Sequence, residues 1–504
     1  SVQSIEAGDA TTGDEIRVKT GLSILSADQS VTNVRGGEVI LEAAEGAIGV
    51  EDGEVRTNLV GDGNLTARAS EDIRIVEVEG DLPVGSIYSK TGGAYLRATD
   101  GSIIDGYDHE FTNIQSNLVE LSASEGIGEE DNSLDINVAV SPGDTVDAIG
   151  TGTIKATADS DIYLTETNGS MNVRNILSES GDVELRADAF IVDAVDLVDP
   201  SDPDSAHDDG PDSNPRADVI GNHVTLIAGL GGAGGIGIAG NDLDIDTSYS
   251  GTGSLTASSQ LNNIYLIETA ADGDGTLDED LVLYEIAANG VDTDDFVETA
   301  FITAPLGRIL NGNPSGANVT SGKIWLFATM DVGEVDNRIS TVAQAIEGKS
   351  TSGSFIVNNT GAIEVGGVVS GPVAGYSASG LEAGGSVLFT AASPVTVSEN
   401  VTAGGEIIIE AHDDDDAEAD DLTVQDGITV SSTGDRVVLR GGDDVLIEEG
   451  ASISAFTGIE IYGDYGNADA GEGSTVRIDG SLSAPTIQIS GNTDDDTFNF
   501  SPST

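Results

Sequence analysis

DIRIVEVEGD at Asp72–Asp81 returns as DIYLTETNGS at Asp161–Ser170 and again as NIYLIETAAD at Asn263–Asp272. A Thr-Ala line precedes each copy: NLTARAS (Asn64–Ser70), TIKATADS (Thr153–Ser160) and SLTASSQ (Ser254–Gln260). A matching closing phrase follows the first two, SIYSKTGGAYLRATDGSIID (Ser86–Asp105) and NILSESGDVELRADAFIVDA (Asn175–Ala194). Along these phrases Ile, Val, Leu or a small residue recurs at alternate positions, the pattern of a strand with one buried face. A long, imperfect period of such strands is the signature of a repeat architecture.

The same alternation runs outward from these phrases. It appears in EVILEAAEG (Glu38–Gly46), DVELRADAF (Asp182–Phe190), KIWLFATM (Lys323–Met330), SVLFTAAS (Ser386–Ser393), EIIIEAHD (Glu406–Asp413) and RVVLRGGD (Arg436–Asp443). Gly, Asn, Asp and Ser clusters between them are turn chemistry. One stretch, STVAQAIEG (Ser340–Gly348), has the spacing of a single helical turn. In the last third, strands start near Ser386, Glu406, Val437, Ile459 and Thr486, one coil apart. The first of these coils holds three short strands, VLFTA, VTVS and NVTA. Three strands per turn, coil on coil, predicts an all-β chain: a right-handed parallel β-helix (β-solenoid) with inserted acidic loops. The alternative, a string of antiparallel β-sandwiches, calls for more aromatics and more hairpin dipeptides.

Two stretches break the pattern. DLVDPSDPDSAHDDGPDSNPRAD (Asp196–Asp218) crowds four prolines among aspartates and suits neither strand nor helix. GLGGAGGIGIAG (Gly229–Gly240) predicts a tight coil where backbones approach closely. The expected organisation is a long-repeat solenoid over 1–198, an acidic Pro/Asp-rich loop over 199–218, the long repeat again over 219–360, and short coils over 361–504.

Composition narrows the function. The 504 residues carry 19 basic and 89 acidic side chains, a net charge of −70. Phosphate binding needs Lys and Arg, so the charge rules against nucleic acid as a partner and argues against an anionic membrane surface. No apolar run is long enough for direct membrane insertion as a helix. With no cysteine there is no disulfide and no thiolate metal site. The opening SVQSIEAGDATTG (Ser1–Gly13) is not a signal peptide and reads like the middle of a coil, so a mature form or a segment of a longer protein is expected. Roughly 25 residues per coil gives about 20 coils, which at about 4.8 Å per coil make a rod of roughly 100 Å. Its axial charge is then about one per 1.4 Å, near that of duplex DNA at about one per 1.7 Å. A saline medium, or divalent cations on the surface, is the expected remedy.

Calcium is therefore the cofactor to look for, and three acidic loops are candidates. Asp272, Asp274, Asp278 and Asp280 surround a Gly-Thr-Leu turn like the centre of a calcium loop. Its first and twelfth ligand positions fall on Ala270 and Leu281, and the competing reading is a solvated acidic turn. Asp494, Asp495 and Asp496 in GNTDDDTFNF partly match a glycine-rich calcium repeat, with GGDDVLIEE (Gly441–Glu449) a second degenerate copy. Asp413 and Asp415 lie in His412–Asp416, followed by Asp420 and Asp421; adjacent carboxylates repel unless a cation sits among them, and the alternative is a solvated loop. Asp242, Asp244 and Asp246 alternate with Leu243 and Ile245, which predicts a strand with an acidic outer face. Catalysis finds no footing. His109, His207, His223 and His412 are scattered, and only Lys90 with Arg97, or Arg436 with Arg440, would serve a β-helix polysaccharide lyase.

DIYLTETNGS, NILSESGDVELRADAFIVDA and VSENVTAGGEIIIEA (Val397–Ala411) resemble the repeats of giant bacterial surface exoproteins of the filamentous-haemagglutinin-like, large-adhesin type. The tail GNTDDDTFNF (Gly491–Phe500) resembles acidic lines in such proteins. The resemblance implies a β-helix, export to the bacterial cell surface, adhesive or scaffold duty, and no catalytic residues. The expectation is an extracellular structural protein, not an enzyme, that self-associates head to tail or laterally. An adhesin stalk binding a glycan or cell-surface partner through calcium-bridged acidic loops is the alternative, with Tyr462 and Tyr465 its best aromatic platform. A lyase is the weaker one.

Overall fold

Ile73, Ile75 and Glu77 face one way along a strand and Arg74 the other. The inward ones stack on their counterparts in the next coil. In the computed structural model this rule builds the whole fold. The structure describes residues 1–7, 14–107, 111–138, 152–194, 217–249, 251–269, 280–289, 298–368, 376–413, 420–466, 473–492 and 495–501. Among them there is no α-helix, and the paired strands run parallel. The chain is an all-β parallel solenoid with two compact units that meet in sequence at Gly253/Ser254.

Winding is visible in the pairing. Leu65–Ala69 pairs with Leu82–Ser89, while Ile73–Glu77, which lies between them in sequence, pairs with Gly93–Ala98. Parallel neighbours need a crossover, and here the crossover is itself a strand of the opposite sheet. Inward residues form ladders such as Ile73–Ala94–Val119–Ile154 and Ile75–Leu96–Leu121–Ala156, each at 2 % exposure or less. Fully burying one such Leu or Ile is worth about 1.5–3 kcal/mol.

The repeated phrase does not mark whole coils. Ile73–Glu77 lies in one sheet and its second copy, Ile162–Glu166, in the other. Each strand is flanked by parallel neighbours on both sides, so the phrase works equally in either sheet.

In the second unit the coil is regular. Val387, Ile407, Val437, Ile459 and Ile487 pair in succession. Leu381–Val401–Val430–Ile453–Leu482 and Val395–Leu422–Val445–Val476–Phe498 make the other two ladders, three strands per coil.

Two expectations are corrected. Ser340–Gly348 is not a helical turn: Ile339–Val342 and Ala345–Ser350 are strands. Thr341 pairs with Val319 and Asn359, and Ile346 with Ile324 and Val365, so tertiary pairing overrides a helix-like spacing. Leu243–Asp246 is a strand without an acidic outer face, because Asp244 and Asp246 are buried with Leu243 and Ile245. Asp246 turns its Oδ1 back to accept from the Ser248 amide (2.8 Å) and hydroxyl (3.1 Å). Burial pushes the Asp242 carboxyl up to about 6. The glycine run does make close approaches: a Cβ at Gly234 would meet the Ala189 carbonyl. Of the acidic stretch 199–218, only Ala217 and Asp218 fall among the described residues.

Among the described residues a corner recurs four times. Ile48-Gly49, Ile127-Gly128, Ile236-Gly237 and Val332-Gly333 each bridge to a neighbouring coil through the apolar residue. The glycine follows at φ between 62° and 73°. A tight excursion then closes on itself, with reciprocal amide bonds between Glu129 and Asn132 and between Glu334 and Asn337. At Gly128 a Cβ would run into the Tyr163 carbonyl, so both φ and space demand glycine. Gly128→Ala is expected to destabilise the chain by about 1–3 kcal/mol, read as a lower urea midpoint at unchanged slope. A neutral result would show that the corner relaxes freely.

Candidate functional site

The most elaborate side-chain chemistry lies inside the coils. Asn33, Asn113 and Asn318 stand just before the short strands Val34–Gly36, Ile114–Gln115 and Val319–Thr320, and each is 0 % exposed. A buried amide has to satisfy both its oxygen and its NH2 group. Asn113 does so across three coils. Its Oδ1 accepts from the Asp135 amide one coil ahead (2.9 Å), and its Nδ2 donates to the Val84 carbonyl one coil behind (3.1 Å). Nδ2 also donates to Asp105 Oδ1 (2.6 Å), which in turn accepts from the Tyr107 amide.

Asn318 repeats the pattern, accepting from Ser340 N (2.8 Å) and donating to Leu283 O and Asn311 Oδ1 (both 2.9 Å). Asn33 accepts from Arg56 N (3.0 Å) and donates to Gln3 O (3.2 Å). The three also share a main-chain bond to the next coil, to Arg56, Asp135 and Ser340. Asp218 makes the equivalent bond to Asp244 and occupies the same place before Val219–Ile220, 2 % exposed.

A second set of caps closes the inner end of other strands. Glu77, Glu166 and Glu268, the same position in the three repeated phrases, are all 0 % exposed. Glu77 Oε1 accepts from the Leu59 amide (2.9 Å), and its Oε2 lies 2.7 Å from Thr57 Oγ1. Glu166 Oε2 accepts from the Val138 amide (2.9 Å) and Oε1 from Asn168 N (3.2 Å). Burial raises the Glu77 carboxyl to about 7, against hydrogen bonds from Thr57, Leu59 and Glu79 that favour the anion; the Glu79 charge adds to the rise. Burial also lifts Glu166 well above the carboxylate range.

The sequence candidates for calcium divide. Asp272, Asp274, Asp278, Asp415 and Asp494 lie outside the described residues. Asp280 grips Arg308: Nε lies 3.1 Å from both carboxylate oxygens and Nη2 2.5 Å from Oδ2. Asp496 Oδ1 accepts from the amide (3.0 Å) and hydroxyl (2.8 Å) of Ser474, while Asp495 is exposed beside it. Asp413 is 5 % exposed; a Cβ at Gly442 would meet both Asp413 and Asp420, and one at Gly466 would meet Asp413 Oδ2. The neighbouring carboxylates act as backbone acceptors: Asp443 takes the Asp420 amide, Asp421 the Asp444 amide, and Asp444 the Thr475 amide. Among the described residues no group of three or more His, Asp or Glu is arranged to hold a metal ion.

The basic residues considered for a lyase are engaged in part. Arg436 bridges Glu406 and Glu460, and Arg440 reaches Glu410 at 2.8 Å while stacking over Tyr465. Tyr462 and Tyr465 lean on each other, ring centroids 5.8 Å apart, with the Tyr462 hydroxyl on Glu460. Lys90 and Arg97 are exposed.

Sequence reading passed over the internal caps. The signal was present in TNV, TNI and ANV at Thr32–Val34, Thr112–Ile114 and Ala317–Val319, but three tripeptides in an Asn-rich chain carry weight only once the coil register aligns them. No family model, curated protein or solved structure matches this chain.

Asn113→Ala strands the Asp135 amide in a dry interior and leaves the Val84 carbonyl with the Gly106 amide alone. The expected loss is about 2–4 kcal/mol in equilibrium unfolding. Asn113→Asp, which keeps the accepting oxygen as Asp218 does, is expected to lose less. An alanine variant as stable as its parent would remove the three-coil bridge from the account.

Proposed function

We propose that this chain is a structural, non-catalytic β-solenoid element of a bacterial surface filament, sheath or giant adhesin, working outside the cell. The observation that carries the reading is the destination of its polar side chains. Asn33, Asn113, Asn318, Glu77, Glu166 and the described acidic candidates Asp280 and Asp496 are committed to backbone amides or to arginine. Such groups hold a coil in register. The likeness of the repeated phrases to large-adhesin repeats supports the surface setting, and a net charge of −70 suits a cation-rich exterior.

Self-association fits the same fold. On the coil Ser481–Phe500, Ile487, Phe498 and Phe500 are 47 %, 41 % and 61 % exposed, although their counterparts Ile459 and Val476 in the coil before are buried. A further parallel coil, from a second copy or from more of the same solenoid, covers such an edge by strand addition. Divalent cations between acidic surfaces would add to it. Electron microscopy and light scattering of the purified chain, with millimolar calcium and with chelator, test the reading. Ordered assemblies are expected, and Phe498→Asp with Phe500→Asp should disperse them. Monodisperse monomer in both conditions would overturn self-assembly. Assemblies lost only in chelator would make calcium the bridge. Release of unsaturated sugars from anionic polysaccharide would overturn the non-catalytic reading.

A further inference from the structure

Glu77 and Glu166 occupy, in the first unit, the place in the strand register that Asn359 occupies in the second. Glu77 pairs with Thr57, Glu166 with Ile136 and Asn359 with Thr341. Each side-chain oxygen accepts the amide two residues beyond its partner: Leu59, Val138 and Ala343. The three are 0 %, 0 % and 2 % exposed. One cap is thus built twice with a carboxyl and once with an amide.

An amide accepts on one atom and donates from the other. A carboxyl does the same only while it carries a proton. Asn359 uses both ends, its Nδ2 donating to the carbonyls of Ala343 (3.3 Å), Thr360 (3.2 Å) and Gly361 (3.0 Å). At Glu77 a protonated Oε2 has an acceptor in Thr57 Oγ1 at 2.7 Å, and the Thr57 hydroxyl then points on to the Val76 carbonyl at 3.4 Å. Every proton in that chain has a place.

Among the described residues no cation bears on either carboxyl. The charged neighbours are Glu79 for Glu77 and Asp188 for Glu166, both anions. Glu79 is itself held by Asn58 Nδ2 (2.8 Å), and Asp188 by the Gly169 amide (3.1 Å). On the strands packed against Glu77, Arg56, Tyr95 and Arg97 alternate with the inward positions Thr57, Leu96 and Ala98. On those packed against Glu166, Glu184 and Arg186 alternate with Val183, Leu185 and Ala187, and Asp135 with Leu134 and Ile136.

We propose that Glu77 is a proton-carrying cap, the neutral acid standing in for the asparagine amide, so that the coil it closes tightens on mild acidification and loosens as the proton leaves; at Glu166 both oxygens accept backbone amides, from Val138 and Asn168. The direction of the Glu77 proton affinity agrees. Burial raises Glu77 from 4.5 to about 7. Between the unfolded and folded values the native chain holds a proton that the unfolded chain has released, so stability falls as pH rises through that window. For Glu77 the fall runs from about 4.5 to about 7 and then levels.

Surface carboxylates repel less in acid and tilt stability the same way, so the test needs an internal reference. Melting temperatures of the full chain and E77Q are compared from pH 5 to 9 at fixed high salt. E77Q should match the parent near pH 5 and melt higher at pH 9. A difference that does not change with pH, or a glutamine variant that melts lower at pH 9, overturns the proposal. Should the variant not fold, hydrogen exchange on the parent chain decides. After correction for intrinsic rates, protection at Leu59 should fall between pH 6 and 9 relative to Ala343, whose cap cannot titrate. A constant ratio to Ala343 overturns it.

Discussion

A parallel solenoid has to satisfy backbone amides at every corner while keeping its interior dry. Strand ladders take care of the amides between corners. At the corners the ladder lapses, and a buried N–H without an acceptor costs about as much as a core truncation. This chain answers with buried side chains that reach along the stack. Asn113 ties the Val84, Asn113 and Asp135 coils together, and Glu77 and Glu166 close strand ends from inside. The apolar ladders supply most of the burial, but these polar groups fix which residue sits on which. A one-residue slip would turn every inward Ile outward and leave each cap facing the wrong amide.

That arrangement separates the acidic residues into groups with different roles. Some are part of the interior, such as Glu166 and Asp105. Some are cross-coil acceptors near the surface, as Asp444 is for Thr475. Others pair with the few arginines: Glu406 and Glu460 flank Arg436, and Asp280 holds Arg308. Net charge alone does not distinguish these. The replacement of Glu by Asn at position 359, and of Asp105 by Asn311 beside the asparagine bridge, indicates that the hydrogen-bonding shape of the cap matters more than its charge.

Much of the fold is legible in the sequence. Period-two alternation identifies the strands, and the spacing of SVLFTAAS, EIIIEAHD and RVVLRGGD gives the coil register that pairs Val387, Ile407 and Val437. Alternation is blind to which sheet a strand joins, so the half-coil shift between Ile73–Glu77 and Ile162–Glu166 is not readable. It is also blind to whether the outer face of a strand is covered: Asp244 and Asp246 read as exposed and are buried. Ser340–Gly348 misleads in the opposite way, since two short strands and a bend mimic a helical spacing. The caps are the least legible, because one Asn or Glu gains meaning only from the amide a coil away.

The central claim is that side chains inside the coils hold the corner amides. Hydrogen exchange of the unmodified chain at neutral pH measures this directly. The amides of Arg56, Asp135 and Ser340 lie at strand starts beside turns, and position alone would make them fast. The account predicts that they exchange as slowly as Leu96 and Leu121 in the core ladder. Exchange as fast as in the exposed turn at Glu51–Asp52 would contradict it.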